Sequence, residues 1–233
     1  MKITADIQSR FKYFKDKYST KYSKEAWEYI EDHFFEDINE RDVPDILMQV
    51  YSDLDIKPSG ARFYHKHLHL LKSLFPIDGN IVEIGSGRIP AFANMLAKEH
   101  MRIGAGTITI YEPLLVELTP KLPNIEIHNE YFTNDTDISN KDLVVGIMPC
   151  EATESILESA IKNRKDFYVA MCGCVHSPFS SMYGFGFGLS PYIYQQQVIN
   201  KTEKLLSEYD NGRLEVTKLK NTEIDYPILY NRR

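Results

Sequence analysis

The chain has 233 residues, 43% of them hydrophobic, which suits one α/β domain with an added helical segment and one sizeable core. A formal net charge of −6 excludes a general basic footprint for nucleic acid and leaves RNA only a local patch. Three cysteines without framework spacing point to free thiols; with no apolar run of membrane-spanning length and no apolar signal core in the first ten residues, the expected setting is cytoplasmic.

From about Ile7 to Leu74 the pattern predicts helix. Phe11, Phe14, Tyr18 and Tyr22 recur at three- and four-residue spacing, as do Trp27, Ile30 and Phe34. Such aromatic stripes read as core rather than as a ligand cage. Ile46, Leu47, Val50, Tyr51 and Leu54 make a further amphipathic helix, broken by Pro58-Ser59-Gly60. A helix from about Ala61 stops at Leu74, ahead of Pro76. His65 and His69 share a face of it, but no third ligand accompanies them, so a solvated face is expected and no metal. This segment, residues 1–75, is expected to form a helical cap on a second part, residues 76–233.

In that second part strands and helices alternate. Strands are predicted at 80–84, 106–111, 125–128, 143–148 and 167–172, with helices at 91–98, 114–118, 152–163 and 192–209 between or after them. Two last strands, at 214–221 and 227–230, are close enough to pair as a hairpin. Alternation implies a parallel sheet with right-handed crossovers. The expected fold is therefore an α/β three-layer sandwich with a mostly parallel, seven-stranded, Rossmann-like sheet.

The run Ile81-Val82-Glu83-Ile84-Gly85-Ser86-Gly87-Arg88-Ile89-Pro90 reads as a buried strand, a glycine turn and a helix start, and Tyr111-Glu112-Pro113 follows the next strand. This arrangement places a nucleoside pocket at the carboxyl ends of the strands. Gly85 and Gly87 let the backbone turn and approach a ligand closely. Glu112 is placed to accept from two ribose hydroxyls. A dinucleotide loop needs a third glycine where Pro90 stands, and proline removes a donor that a phosphate would use. Glu83 and Glu112 instead suit a ligand with an ammonium group and a ribose but no phosphate.

These residues resemble the class I S-adenosylmethionine-dependent methyltransferases, whose first strand ends in Glu/Asp-x-Gly-x-Gly, and the antiparallel final hairpin is similar to their variant of the sheet. The resemblance implies S-adenosylmethionine as cofactor. It implies that Glu83 contacts the methionine moiety, that Gly85, Ser86 and Gly87 form the loop beneath the cofactor, and that Glu112 holds the ribose with Pro113 beside the adenine. It also implies that Glu130 accepts from the adenine amino group while Tyr131 or Phe132 packs on the ring, and that Met148 lies near the cofactor. The segment Gly146-Ile147-Met148-Pro149-Cys150 and the segment Ala170-Met171-Cys172-Gly173-Cys174-Val175-His176 are similar to a branch with Pro-Cys after strand four and Cys-Cys-x-His after strand five. This chain departs from it at Met148 and at Gly173.

Cys150, Cys172 and Cys174 are candidates for a substrate-facing wall, with His176 as candidate base, since an imidazole titrates near working pH. The same residues also read as soft and borderline ligands for zinc, at a spacing unlike the usual Cys-x-x-Cys, or as small buried cysteines beside a locally bonded histidine. Glycines alternate with Tyr183, Phe185 and Phe187, which suggests an aromatic lid over the acceptor. The expected function is methyl transfer from S-adenosylmethionine to an acceptor, a small molecule favoured over RNA or protein. Two rivals stay open. Gly85-Ser86-Gly87-Arg88-Ile89-Pro90 also resembles the loop of nicotianamine synthases, which transfer the aminopropyl-carboxyl arm. The third possibility is a non-catalytic binding or scaffolding module. Oligomeric state is left open.

Overall fold

The computed structural model describes residues 62–87, 90–115, 122–172, 191–209, 212–219 and 226–232, with isolated helical positions at 12, 15, 16, 24 and 28. The order of elements is α1 (Arg62–Leu74), β1 (Ile81–Ile84), α2 (Ala91–Ile103), β2 (Ile108–Tyr111), β3 (Ile125–His128), β4 (Leu143–Ile147), a 3₁₀ turn (Cys150–Ala152), α3 (Thr153–Lys162), β5 (Asp166–Ala170), α4 (Pro191–Glu208), β6 (Glu215–Thr217) and β7 (Ile228–Asn231). They form one seven-stranded sheet in the order β3-β2-β1-β4-β5-β7-β6.

The first five strands run parallel, and β7 pairs antiparallel with both β5 and β6. Buried parallel strands need apolar side chains on both faces. Ile81, Ile108, Ile110, Val145 and Tyr168 pack toward α1 and α2, whereas Val82, Ile84, Val144, Phe167 and Val169 pack toward α3 and α4. Alternation with period two along each strand thus feeds two cores, one above and one below the sheet. The three-layer sandwich and the terminal hairpin are as expected from the sequence.

Several boundaries differ. The helix expected to stop at Lys98 runs on to Ile103 and ends where Gly104 adopts φ +67 and donates its N–H back to His100. That left-handed glycine just past the last turn is the stop signal. Pro90 sits at the cap position with φ −81 rather than inside the first turn. The predicted strand 214–221 is only Glu215–Thr217, and the helix expected at 152–163 opens as a 3₁₀ turn. The short helix expected at 114–118 is a turn at 113–114 with Leu115 outside any helix, and 116–118 lie outside the described residues. Leu68, Leu71 and Phe75, at α1 and just past its end, pack in one core with the sheet.

The proposed lid at Tyr183, Phe185 and Phe187, the candidate base His176, Cys174 and nearly all of the predicted helices before residue 62 lie outside the described residues. Among the described residues, no helix is long and apolar enough to cross a membrane.

Candidate functional site

The carboxyl ends of β1, β2 and β4 open onto a cavity of about 480 Å³. Such crevices form where neighbouring strands send their connections to opposite faces. Here β1 lies between β2 and β4, so the break falls beside the glycine turn.

Gly85 and Gly87 follow β1 with φ +69 and φ +76. These are left-handed values that a residue with a Cβ adopts only at a cost. A Cβ on Gly85 would also sit 2.9 Å from the Cα of Pro149. The glycine is therefore needed twice, for its dihedral and for contact with the loop after β4. A Cβ on Gly146 would come within 2.9 Å of the Pro149 ring, so Pro149 is wedged between the β1 turn and strand β4.

Glu112, one residue past β2, is buried and lines the cavity. Its Oε2 accepts the Gly87 N–H at 3.0 Å and its Oε1 accepts the Leu114 N–H at 3.0 Å. One carboxylate thus ties the glycine turn to the loop after β2. Charged acceptors form the stronger class of hydrogen bond. Each carboxylate oxygen has a second lone pair, so two hydroxyl donors can still be accepted from the cavity side.

Beyond Glu112 the walls are apolar. Pro113 and Leu114 form one side, Tyr131 and Phe132 another. Leu114 and Tyr131 are 66% and 72% exposed, large apolar surfaces with little protein over them. Phe132 is buried and meets Tyr111 edge to face, with ring centroids 5.7 Å apart. The far wall is Pro149, Cys150 and Glu151, with Ala152 and Ser155 behind. Met148 and Cys150 hold φ +55 and φ +47 on either side of Pro149. Two non-glycine residues in the left-handed region within three positions represent backbone strain, a feature that concentrates at functional sites.

The structure brings together Gly85, Glu112, Pro113, Tyr131 and Cys150 of the residues expected from the sequence, with Gly87 joined through its N–H. Others lie apart. Glu83 is 1% exposed, one residue inside the end of β1, and its register partners Ile110 and Val145 place it on the face toward α1 and α2. Ser86 is buried, Met148 half-buried, and neither lines the cavity. The Glu130 carboxylate lies 3.4 Å from His128 Nδ1, while Glu126 lies 3.2 Å from Nε2, so Glu130 faces the histidine and is not a cavity wall. His128 in turn stacks on Tyr111 at 4.5 Å. Burial first, and then Glu130, Glu126 and Asp137, raise the Tyr111 phenol above its ordinary range. Cys172 is buried at the end of β5 and is not among the described lining residues.

Leu114, Glu151 and Ser155 were missed by sequence reasoning. The turn at Pro113 and Leu114 carries no motif, and Glu151 and Ser155 share a face only because a 3₁₀ turn leads straight into α3. His65 and His69 line a separate cavity of about 560 Å³ with Lys66 and Lys218. Among the described residues no three His, Cys, Asp or Glu side chains converge to hold a metal ion.

Fold and crevice together define an open α/β protein with a cavity past the carboxyl ends of β1, β2 and β4, floored by a glycine turn and lined by a buried carboxylate. No family model matches the chain, and no curated protein matches it. Among solved structures it is similar to the CMeT domain of the citrinin polyketide synthase, at 13% identity and a TM-score of 0.47 over 80% of this chain and 55% of that one. It is also similar to human N-acetylserotonin methyltransferase in complex with S-adenosylmethionine, at 15% identity and a TM-score of 0.45 over 93% of this chain and 69% of that one. A third is an S-adenosylmethionine-dependent methyltransferase from Aquifex aeolicus, at 11% identity and a TM-score of 0.46 over 77% of this chain and 94% of that one. The chain thus spans little more than half the length of the polyketide synthase domain it matches.

Proposed function

We propose that the chain is an S-adenosylmethionine-dependent methyltransferase of the class I type, acting on a small-molecule acceptor. The observation that carries the reading is Glu112: a buried carboxylate anchored by two backbone N–H groups, with its remaining lone pairs available to a ribose diol. Three further features support it. Exposed Leu114 and Tyr131 offer flat apolar surface to an adenine. The described lining holds two carboxylates, Glu112 and Glu151, and no Lys, Arg or His, which favours a cationic or neutral ligand over a phosphate-bearing one. Gly85 lets the β1 turn pack against Pro149 at the cavity floor.

When bound, the sulfonium supplies an already activated methyl group. The protein's own task is then placement. Glu112 fixes the ribose, the Pro113–Leu114 and Tyr131–Phe132 walls hold the base and exclude water, and the strand-four wall at Cys150 and Glu151 faces the remaining space, where an acceptor would align. Cys150, Cys172 and Cys174 are read as the acceptor wall, His176 as the base for a hydroxyl or amine acceptor, and Tyr183, Phe185 and Phe187 as the cover. Residues 1–75 are read as a cap on the domain of residues 76–233, and the protein as a cytoplasmic one.

The test is product analysis with methyl-labelled S-adenosylmethionine and either the small-molecule fraction of a cell extract or total RNA. S-adenosylhomocysteine and a labelled small molecule are expected. Methylthioadenosine would replace this reading with transfer of the aminopropyl-carboxyl arm. Cofactor binding without product from any fraction would indicate a non-catalytic module.

A further inference from the structure

At the ends of β4 and β5 the sheet's hydrogen bonding runs out. Met148 N–H still donates to the Ala170 carbonyl at 2.8 Å, and Met171 N–H to the Pro227 carbonyl at 3.0 Å. The carbonyls of Cys150 and Cys172 lie beyond that ladder, and both are taken by helix side chains. Thr153 Oγ1 donates to the Cys150 carbonyl at 2.8 Å. Gln195 Nε2, buried on the first turns of α4, donates to the Cys172 carbonyl at 3.2 Å.

Tyr194, the neighbouring residue, is also buried. Burial first, then Glu154, Cys172 and Cys150, push its phenol pKa up to about 12, so it stays protonated at working pH. A carbonyl or hydroxyl buried without a partner is costly, so these contacts are expected to hold both strand ends in one arrangement.

We propose that Gln195 is a positioning residue for the acceptor end of the site, holding the thiol-bearing end of β5 beside the end of β4, where an acceptor would meet the methyl group. Gln195 does not line the described cavity and acts through the backbone of Cys172. The inference rests on the proposed function for its meaning, but the contacts and their consequences stand without it.

The experiment is peptide-resolved alkylation of the full chain by iodoacetamide across a pH series, with S-adenosylmethionine affinity measured by calorimetry on the same samples. Gln195→Leu should speed Cys172 alkylation about fivefold, the factor that loss of one hydrogen bond gives a local opening. Cofactor affinity should stay within about twofold in this variant. If Gln195→Leu folds poorly, Gln195→Glu, which opposes an acceptor to the carbonyl, should give the same Cys172 result. An unchanged Cys172 alkylation rate would overturn the proposal. So would equal acceleration at all three cysteines with a matching fall in Tm, which is the signature of simple core packing. Failure of the unaltered protein to bind S-adenosylmethionine would defeat the proposed function, and the alkylation rates would still decide the positioning role.

Discussion

Glu112 and Gly85 are the two residues on which the site turns. Replacing Glu112 by Ala removes the acceptor for two backbone N–H groups and the acceptor proposed for the ribose, at about 1.5–3 kcal/mol per charged hydrogen bond. Cofactor affinity should fall about tenfold or more. Glu112→Gln, which keeps one carbonyl oxygen, should fall between the two proteins. Calorimetry checks both, and equal affinity in all three would remove the ribose role. Gly85→Ala faces both φ +69 and a Cβ 2.9 Å from Pro149 Cα. It should lower stability by about 1–3 kcal/mol and weaken cofactor binding, whereas Gly104→Ala, with open space around its Cβ, should show the dihedral cost alone. Denaturant titration of the pair separates crowding from dihedral strain. Gly85 and Glu112 were legible because strand, glycine turn and strand-end acid form a spaced pattern. Leu114 and Glu151 were not, because their place depends on how a turn and a 3₁₀ segment orient them.

Between elements, one buried polar link among the described residues joins α1 to β5. His67 Nδ1 lies 2.7 Å from the Tyr168 hydroxyl, and both residues are buried. Burial lowers the His67 pKa to about 4 from 6.5. The histidine is therefore neutral in the folded chain while the unfolded chain takes up a proton as the pH falls through 6.5. This contribution to stability is complete above that pH and is lost between about pH 6.5 and pH 4. Unfolding free energy should drop by about 2 kcal/mol more between about pH 7 and pH 5 than in the His67→Leu/Tyr168→Phe double variant. Parallel pH profiles for the two proteins would show that His67 does not carry the dependence. Nothing in the triplet His65, His67, His69 announced this division of labour. Periodicity put His65 and His69 on one face, but only the sheet behind the helix shows that His67 points inward. The strands were legible for the opposite reason: continuous apolar runs such as Leu143–Ile147 fit only a strand covered on both faces.

For the molecule as a whole, the alternating order of elements was enough to anticipate a mostly parallel seven-stranded sheet closed by an antiparallel hairpin, since crossover rules leave few other arrangements. Where the hairpin strand β6 shrinks to three residues, the sequence still reads as a longer strand, because edge strands carry weak patterns. The cavity's charge is a property of the assembled fold. Glu112 follows β2, Glu151 follows β4, and only the sheet order brings them to one crevice without a cationic side chain among its described walls. That charge predicts discrimination between nucleoside ligands: S-adenosylmethionine should bind, and adenosine triphosphate and nicotinamide dinucleotide should not. The most direct measurement of the central claim is therefore calorimetric titration of the full chain with these three ligands in turn. The account predicts saturable one-to-one binding of S-adenosylmethionine alone. Binding of a phosphate-bearing nucleotide in its place, or no heat with any of the three, would contradict it.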